Sequence, residues 1–525
     1  MKIKVFSSLI LLTLCFYLMG LHLGTVVPYD ISDEDLSGQA SEKIELEHEH
    51  LLLHGSSYKR GLEFGKLTKD RLLDQELLMT GYLNKFIPSK LGQELLFFGS
   101  MLWFQGLDTF IEKESLLEMQ GVAKSTHPRF DSYGAPLTRQ LAYHGIHEVG
   151  QMFVDSDRGD MGCFSAIVKD KNDSFVIGRN FDFDIDSFFR KNFYLKWSFP
   201  NDDSISYVSV IWAGMVGVVT GVNAKGVYVA INAAGSEDFA RVGTPTTLII
   251  KNVLAKASTL DEAIEIIKEK KSFITEVFVV GSHQGVAVVE KTPKRSNVRY
   301  IKSNSIVSNH LLAKVFNDDT VNKYRKSELT TKHRYDRGVE ILNNSKLKGV
   351  DLAISVLRDK KLFKGSRKQL GHRGAIDSLI ASHSTIYDEA KNVFFVNSGP
   401  GAQGKFIGYD LVKSFKNKRP VVVSEYPKDN DITLSRYWDI VNTLEEVSSY
   451  KKLSLPENCD LLDKKLESVL KFNISHHDIM ELHGNFLFSC KGNLNAAKEL
   501  WQSALNEKPP FKPVVDRLKG KLNEK

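Results

Sequence analysis

Cysteine is scarce in this chain, four in 525 residues, and only Cys163 stands in a setting that suggests chemistry. Excess charge is scarce too. The formal net charge is +6, with no basic stripe interleaved with aromatics, so nucleic acid is not an expected partner. Metal-ligand sets are thin: His144 and His147 stand three apart, as helical ligands do, but no third ligand of suitable spacing follows. A satisfied structural role is therefore expected for them, with no metal and no organic cofactor. Disorder is excluded by composition, since 42% hydrophobic and 26% charged residues fit a folded protein. The length leads us to expect two or three units.

One long apolar run opens the chain. Lys2 and Lys4 precede Val5 to Leu21, the pattern of a secretory n-region and h-region. The run is short for a membrane span of ~20 residues and long for a cleaved signal, and no clear small-x-small site follows it. Residues 1–24 are thus read as a signal peptide or signal anchor. The body is expected to be extracytoplasmic (secreted, periplasmic or lumenal), with membrane association through residues 3–21 left open. Leu14 is too bulky for a lipoprotein box at Cys15. Pro28 to Glu49 reads as a polar tether, and Ile44 to Leu53 alternates like an edge strand.

Residues 25–162 then read as a helical front section. An amphipathic helix is expected from about Lys66 to Phe86, and apolar residues recur at helical spacing from Gly92 to Lys124. Asp155 to Gly162 is a polar, glycine-containing loop, a suitable context for an exposed scissile bond. Past Tyr426 the chain turns helical again. Ala497, Trp501, Ala504 and Pro509, with Phe488 and Gly492 before them, resemble one tetratricopeptide repeat, without a second copy. Cys459 and Cys490 are either a disulfide or plain core residues. Asn172, Asn343 and Asn473 begin Asn-x-Ser triplets.

Between these sections lies the stretch that carries chemistry. Gly162-Cys163 leads into a short apolar run, a polar turn follows from Lys169 to Ser174, and Phe175-Val-Ile starts a return strand ending in Gly178-Arg179-Asn180-Phe181-Asp182. A hairpin would bring Arg179 and Asp182 beside Cys163. A thiolate attacks carbonyls, and a nearby cation lowers the thiol pKa. If the Gly162–Cys163 bond is cut, the α-amine of Cys163, with a pKa near ~8, becomes an available base.

A cysteine followed at this separation by Gly-Arg-Asn-x-Asp resembles the N-terminal-nucleophile (Ntn) hydrolases of the C45, penicillin acyltransferase type, related to the choloylglycine hydrolases. The resemblance extends to Gly61-x-x-x-Gly65 and Leu117-Glu-Met-Gln-Gly-Val-Ala123 in the front section. It continues through Asn223-Ala-Lys-Gly226 with its strand ending at Asn232, and through Ser303 to His310. It implies an α+β fold, the αββα four-layer sandwich, with a catalytic domain at 163–425; it says nothing of the helical, TPR-like extension at 426–525. It also implies autocleavage between Gly162 and Cys163, with the fragments staying together as a heterodimer. The implied catalytic residues are Cys163, Arg179, Asp182, Asn232 and Asn309. Ser165, Asn180 and Arg373, the last a candidate second guanidinium, are weaker substrate-binding candidates. The charged segment Lys323 to Asn343 reads as a solvated helix face.

The expected function is that of a self-processing cysteine amidohydrolase or acyltransferase. It would cleave a linear C–N amide, or an ester, of a small acyl substrate through a thioester on Cys163. Two alternatives stay open. One is a lipid-directed N-acyl amide or phospholipid hydrolase of the same fold, and the other is a non-catalytic membrane-tethered scaffold.

Overall fold

The computed structural model describes residues 26–152, 162–170, 173–183, 186–451, 455 and 457–523. The leader and most of the loop before Gly162 lie outside the described residues. No described helix is long and apolar enough to cross a membrane.

The strands in chain order are β1 Glu42–Glu45, β2 Glu49–Gly55, β3 Cys163–Lys169, β4 Phe175–Asp182, β5 Tyr194–Pro200, β6 Tyr207–Ile211, β7 Thr220–Asn223 and β8 Tyr228–Ala233. They continue with β9 Glu276–Ser282, β10 Gly285–Lys291, β11 Ser296–Ile301, β12 Ser305–Val307, β13 Ala381–Asp388, β14 Val393–Asn397, β15 Phe406–Asp410 and β16 Val422–Tyr426. They form a nine-stranded sheet, β1-β2-β5-β6-β7-β8-β9-β10-β11, and a seven-stranded sheet, β12-β3-β4-β13-β14-β15-β16. The chain is therefore a mixed α+β protein with two sheets and many helices.

Side chains alternate across β3 as a strand requires. Phe164, Ala166 and Val168 bury against the helix Gly349–Leu357, whereas Ile167 joins a cluster with Leu195, Trp197, Val208 and Val279 of the other sheet. Helices Thr246–Lys256 and Leu260–Glu269 bury Ile249, Val253, Ile264 and Ile267 against Val229, Phe278 and Val289 of the nine-stranded sheet. Thr259 caps the second helix as its sequence suggests, its hydroxyl accepting from the Glu262 amide at 3.2 Å.

The front section corrects one expectation and refines another. The alternating stretch at 44–53 is two strands, not one edge strand. A turn at Leu46–His48 separates them (Leu46 N to His48 O, 3.0 Å), and β2, a wholly buried Leu-Leu-Leu run, lies inside the sheet, parallel to β5. The helix expected from about Lys66 to Phe86 is present as Lys69–Phe86, but the glycine-spaced stretch before it is a helix of its own, Ser57–Leu67. The glycine spacing in the sequence has a steric reason. A Cβ on Gly61 would sit 1.9 Å from the Glu118 carbonyl oxygen, and one on Gly121 would sit 2.4 Å from the Tyr58 carbonyl oxygen. Helices Ser57–Leu67 and Lys113–Ala123 thus cross backbone to backbone, which only glycine permits.

The apolar run from Val216 yields only the short β7. Its first amides bond elsewhere: Val216 N and Gly217 N donate to His144 Nε2 at 3.0 and 3.3 Å, and Val218 N donates to the Thr247 carbonyl at 2.9 Å. Beyond β16 the chain is helical, with helices from Leu434 to Leu522, and Cys459 and Cys490 form a disulfide.

Candidate active site

The hairpin β3–β4 places Cys163 opposite Phe181 and Ser165 opposite Arg179. Cys163 is buried, 3% exposed. The Arg179 guanidinium stands 3.8 Å from its Sγ. That guanidinium is fixed by the other sheet, donating to the Val219 carbonyl at 3.0 Å, to the Thr220 hydroxyl and to the Ile231 carbonyl. Burial pushes the Cys163 thiol up to about 11. Arg179 and a backbone hydrogen bond from Ala233 pull the other way, and Asp182 adds to the rise. With its amide intact, Cys163 is therefore a protonated thiol at neutral pH.

The peptide bond before it is held at both ends. The Gly162 carbonyl accepts from the Asp182 amide at 2.8 Å, and the Cys163 amide donates to Asn309 Oδ1 at 2.9 Å. A Cβ on Gly162 would meet Asp182 Oδ2 at 2.8 Å and Arg334 Nη2 at 3.3 Å. Residue 162 must be glycine for these two charged groups to close on it.

Asn309 is positioned by its own contacts. Its Nδ2 donates to the Ala233 carbonyl at 2.8 Å, and its amide donates to the Thr331 hydroxyl at 2.8 Å. Its side-chain oxygen is thereby turned toward the nitrogen of Cys163, and its NH2 is engaged elsewhere. Asn232 is engaged as well, accepting from Ser165 Oγ at 3.1 Å and donating to the Val307 carbonyl at 3.2 Å. In this arrangement neither asparagine NH2 is the donor on the Gly162 carbonyl; the donor there is the Asp182 backbone amide.

The weaker candidates also have internal partners. Ser165 is bonded to Asn232, and Asn180 bridges the Leu357 carbonyl (2.9 Å) and the Ser384 hydroxyl (2.7 Å) on the far face of its strand. Arg373 stands in a segment where its neighbour His372 contacts the Lys508 carbonyl of the C-terminal helices at 3.0 Å. A second guanidinium at Cys163 is that of Arg334, which donates to the Cys163 carbonyl at 2.9 Å and to Asn309 Oδ1 at 2.7 Å. Arg334 lies on helix Thr331–Asn344 and is 1% exposed, inside the segment whose charges suggest a solvated face. Gly338 brings that helix down, since a Cβ there would meet Phe164 at 2.7 Å and Ile306 at 2.9 Å. A glycine one turn after an arginine was the available signal.

A cavity of about 180 Å³ adjoins the site, lined by Phe181, Phe183, Phe189 and Trp212 and by residues of the front helices. His144, in the helix Pro136–Met152, has the structural role expected of it. Its Nδ1 donates to the Gln140 carbonyl at 2.7 Å while Nε2 takes the Val216 and Gly217 amides. The side chain of His147 lies outside the described residues. Among the described residues, His476, His477 and Asp478 bring three ligand atoms within 4.8 Å of one another. They lie in the C-terminal helices, and the Lys451 ammonium already occupies Asp478 at 2.5 Å.

The site is thus a buried thiol facing a fixed guanidinium, with its own amide bond held at both ends. Residues 168–369 match the family described as acyl-coenzyme A:6-aminopenicillanic acid acyl-transferase. The match supports assigning the chain to the Ntn hydrolases of C45 type, the family that the motifs at Cys163 and Gly178–Asp182 resemble. Over 204 residues the chain is 22% identical to an N-acylethanolamine-hydrolyzing acid amidase of Caenorhabditis elegans, covering 37% of this chain and 55% of that protein. It is also 23% identical over 267 residues to an uncharacterized protein of Archaeoglobus fulgidus, covering 47% of this chain and 44% of the other. The chain thus spans about half the length of these curated relatives. Among solved structures it is similar to an N-acylethanolamine-hydrolyzing acid amidase ortholog of C. elegans, with 17% identity, TM-score 0.32, and coverage of 44% of this chain and 96% of that one. A conjugated bile acid hydrolase variant from Clostridium perfringens gives 14% identity, TM-score 0.33, and coverage of 52% and 99%.

Proposed function

We propose that the protein is a self-processing cysteine amidohydrolase or acyltransferase acting on a small acyl amide through Cys163. The observation that carries this reading is the Gly162–Cys163 peptide bond, clamped between the Asp182 amide and Asn309 Oδ1 beside the thiol. In processing, Cys163 Sγ adds to the Gly162 carbonyl carbon, and the developing oxyanion is met by the Asp182 N–H. The C–N bond breaks, the nitrogen taking the proton that left the thiol, and a thioester joins Gly162 to Cys163. Water hydrolyses it, leaving a Gly162 carboxylate and a free Cys163 amine and thiol. That amine, with Asn309 Oδ1 already at its position, then serves as the base. It takes the thiol proton as Sγ attacks a substrate amide and returns it to the leaving amine. Water or an amine acceptor resolves the acyl thioester. Arg179 stabilises the thiolate, and Asp182 and Arg334 orient the chain terminus.

We further read the two sheets with their outer helices as the four-layer αββα sandwich. The mature organisation would be residues 25–162 and 163–425 held together as a heterodimer, with 426–525 as a TPR-like extension. The Cys459–Cys490 disulfide fits an extracytoplasmic setting. Fragment masses of wild-type protein and Cys163→Ala test the core of this. A fragment beginning at Cys163, found only in the wild type, is expected; a variant that still cuts itself sinks the mechanism.

A further inference from the structure

The cavity beside Phe181 is lined by two unlike sets of residues. One is aromatic: Phe181, the strand partner of Cys163, stands with Phe183, Phe189 and Trp212, ring centres 5.1 to 6.1 Å apart along the contacts among them. The other is polar and incompletely satisfied. Gln75 Oε1, Glu76 Oε2, Gln140 Nε2 and Thr247 Oγ1 are buried without a hydrogen-bond partner, and all four residues line the cavity. Glu76, Gln140 and Thr247 are each 2% exposed or less. Buried polar atoms are rarely left unpaired in folded proteins, and a group of them around one space calls for a polar occupant, an ordered water or the polar group of a ligand that displaces it.

The chemistry of that ligand follows from the atoms. Gln75 Oε1 and Glu76 Oε2 accept, Gln140 Nε2 donates and the Thr247 hydroxyl does either. The group they take must both donate and accept. Glu76 is already met by Arg139 at 3.4 Å and by the Tyr143 hydroxyl at 2.8 Å, so its charge does not call for an ammonium. A neutral hydroxyl meets these conditions. Size suits a ring: an apolar cavity of about 150 Å³ holds benzene, close to the 180 Å³ found here. We propose that this cavity selects ring-sized acyl groups bearing a hydroxyl. This rests on the reading of Cys163 as the acyl-transfer nucleophile.

The test is calorimetric binding of 4-hydroxyphenylacetamide, phenylacetamide and octanamide to full-length Cys163→Ala protein, in which no turnover intervenes. The hydroxylated amide is expected to bind at least about tenfold more tightly than the other two, the worth of one added hydrogen-bond set. That advantage should vanish on adding Gln140→Leu, with Gln75→Leu as the second variant should the first fail to fold. Equal binding of the two phenyl amides, preference for octanamide, or no binding of any of the three overturns the proposal. Selective binding by a protein whose wild type forms no acyl-thioester with the same amide keeps the cavity assignment and sinks the proposed function instead.

Discussion

The buried charges around Glu118 and those around Cys163 use the same residue types to opposite ends. Glu118 sits on the front helix Lys113–Ala123. It meets Lys196 of β5 at 3.1 Å and Lys251 of helix Thr246–Lys256 at 2.6 Å, all three nearly solvent-free. Burial opposes its charge, yet the two ammonium groups hold its carboxyl well below the usual range. Burial also brings Lys251 down to about 8. Here charge is answered by charge in place, and the front section is fastened to the body. Around Cys163 the guanidinium of Arg179 is spent mainly on carbonyls, and the thiol stays protonated until a base arrives. The difference teaches that buried charge marks chemistry where a reactive atom is left short of a partner, and fastening where every charge is met.

The largest effect that would sharpen this contrast is at Cys163. Replacing it by Ala should abolish self-cleavage and lower acyl-amide turnover by more than about 10⁴-fold, read from fragment mass and product release, with little change in the urea midpoint. Glu118→Leu should do the reverse. It leaves two buried ammonium groups without their partner, a cost of about 3–5 kcal/mol. Urea unfolding should show it, and size-exclusion chromatography should show the front fragment separating from the processed protein. If Glu118→Leu retains wild-type stability, the fastening role is wrong.

Arg334 occupies the middle of this scale. Arg334→Met keeps bulk but removes the bonds to the Cys163 carbonyl and to Asn309 Oδ1. Turnover should fall by about 10²–10³-fold, the range found for loss of one preorganised donor. A purely structural role would instead move stability and leave kcat of the remaining folded enzyme unchanged.

Much of the Cys163 side of the comparison was legible in sequence, because a hairpin is a local object. Once the polar turn at Lys169–Ser174 is seen, Cys163, Arg179 and Asp182 must converge. Gly61 and Gly121 were legible as motif, and their meaning, a backbone crossing, needed the structure. Arg334 was harder to read: it lies 171 positions from its carbonyl partner, and the one signal, Gly338 a turn later, does not say what the arginine meets. Arg325 of the same charged segment is buried too, and Arg337 is largely buried against Asp359, so burial alone does not single out Arg334. Asn309 was legible as a residue that holds the nucleophile and Asn232 as its neighbour, but the direction of each side chain was not. Sequence position shows which strand end holds an asparagine, but not whether its NH2 or its oxygen faces the site.

The smallest effect concerns how the fastening responds to acid. Glu118 and its lysines keep their charges on mild acidification, whereas His144 joins the same two sections as a neutral imidazole. Its Nε2 must accept from Val216 and Gly217, which an imidazolium cannot do. Burial lowers its pKa to about 4 from the ordinary 6.5, opposed by the Gln140 carbonyl bond and by Glu118 and aided by Lys251 and Lys196. A folded pKa below the unfolded one means stability fully present above pH 6.5 and lost as pH falls toward 4. The share lost by pH 5 is about 2 kcal/mol. His48, brought to about 4 by burial, adds to the same trend, so the wild-type slope alone does not isolate His144. His144→Gln keeps an acceptor that does not titrate. Between pH 7 and pH 5 its urea midpoint should fall less than that of the wild type, by the equivalent of about 2 kcal/mol. Parallel pH profiles for the two proteins would show that His144 is not where acid loosens the front section.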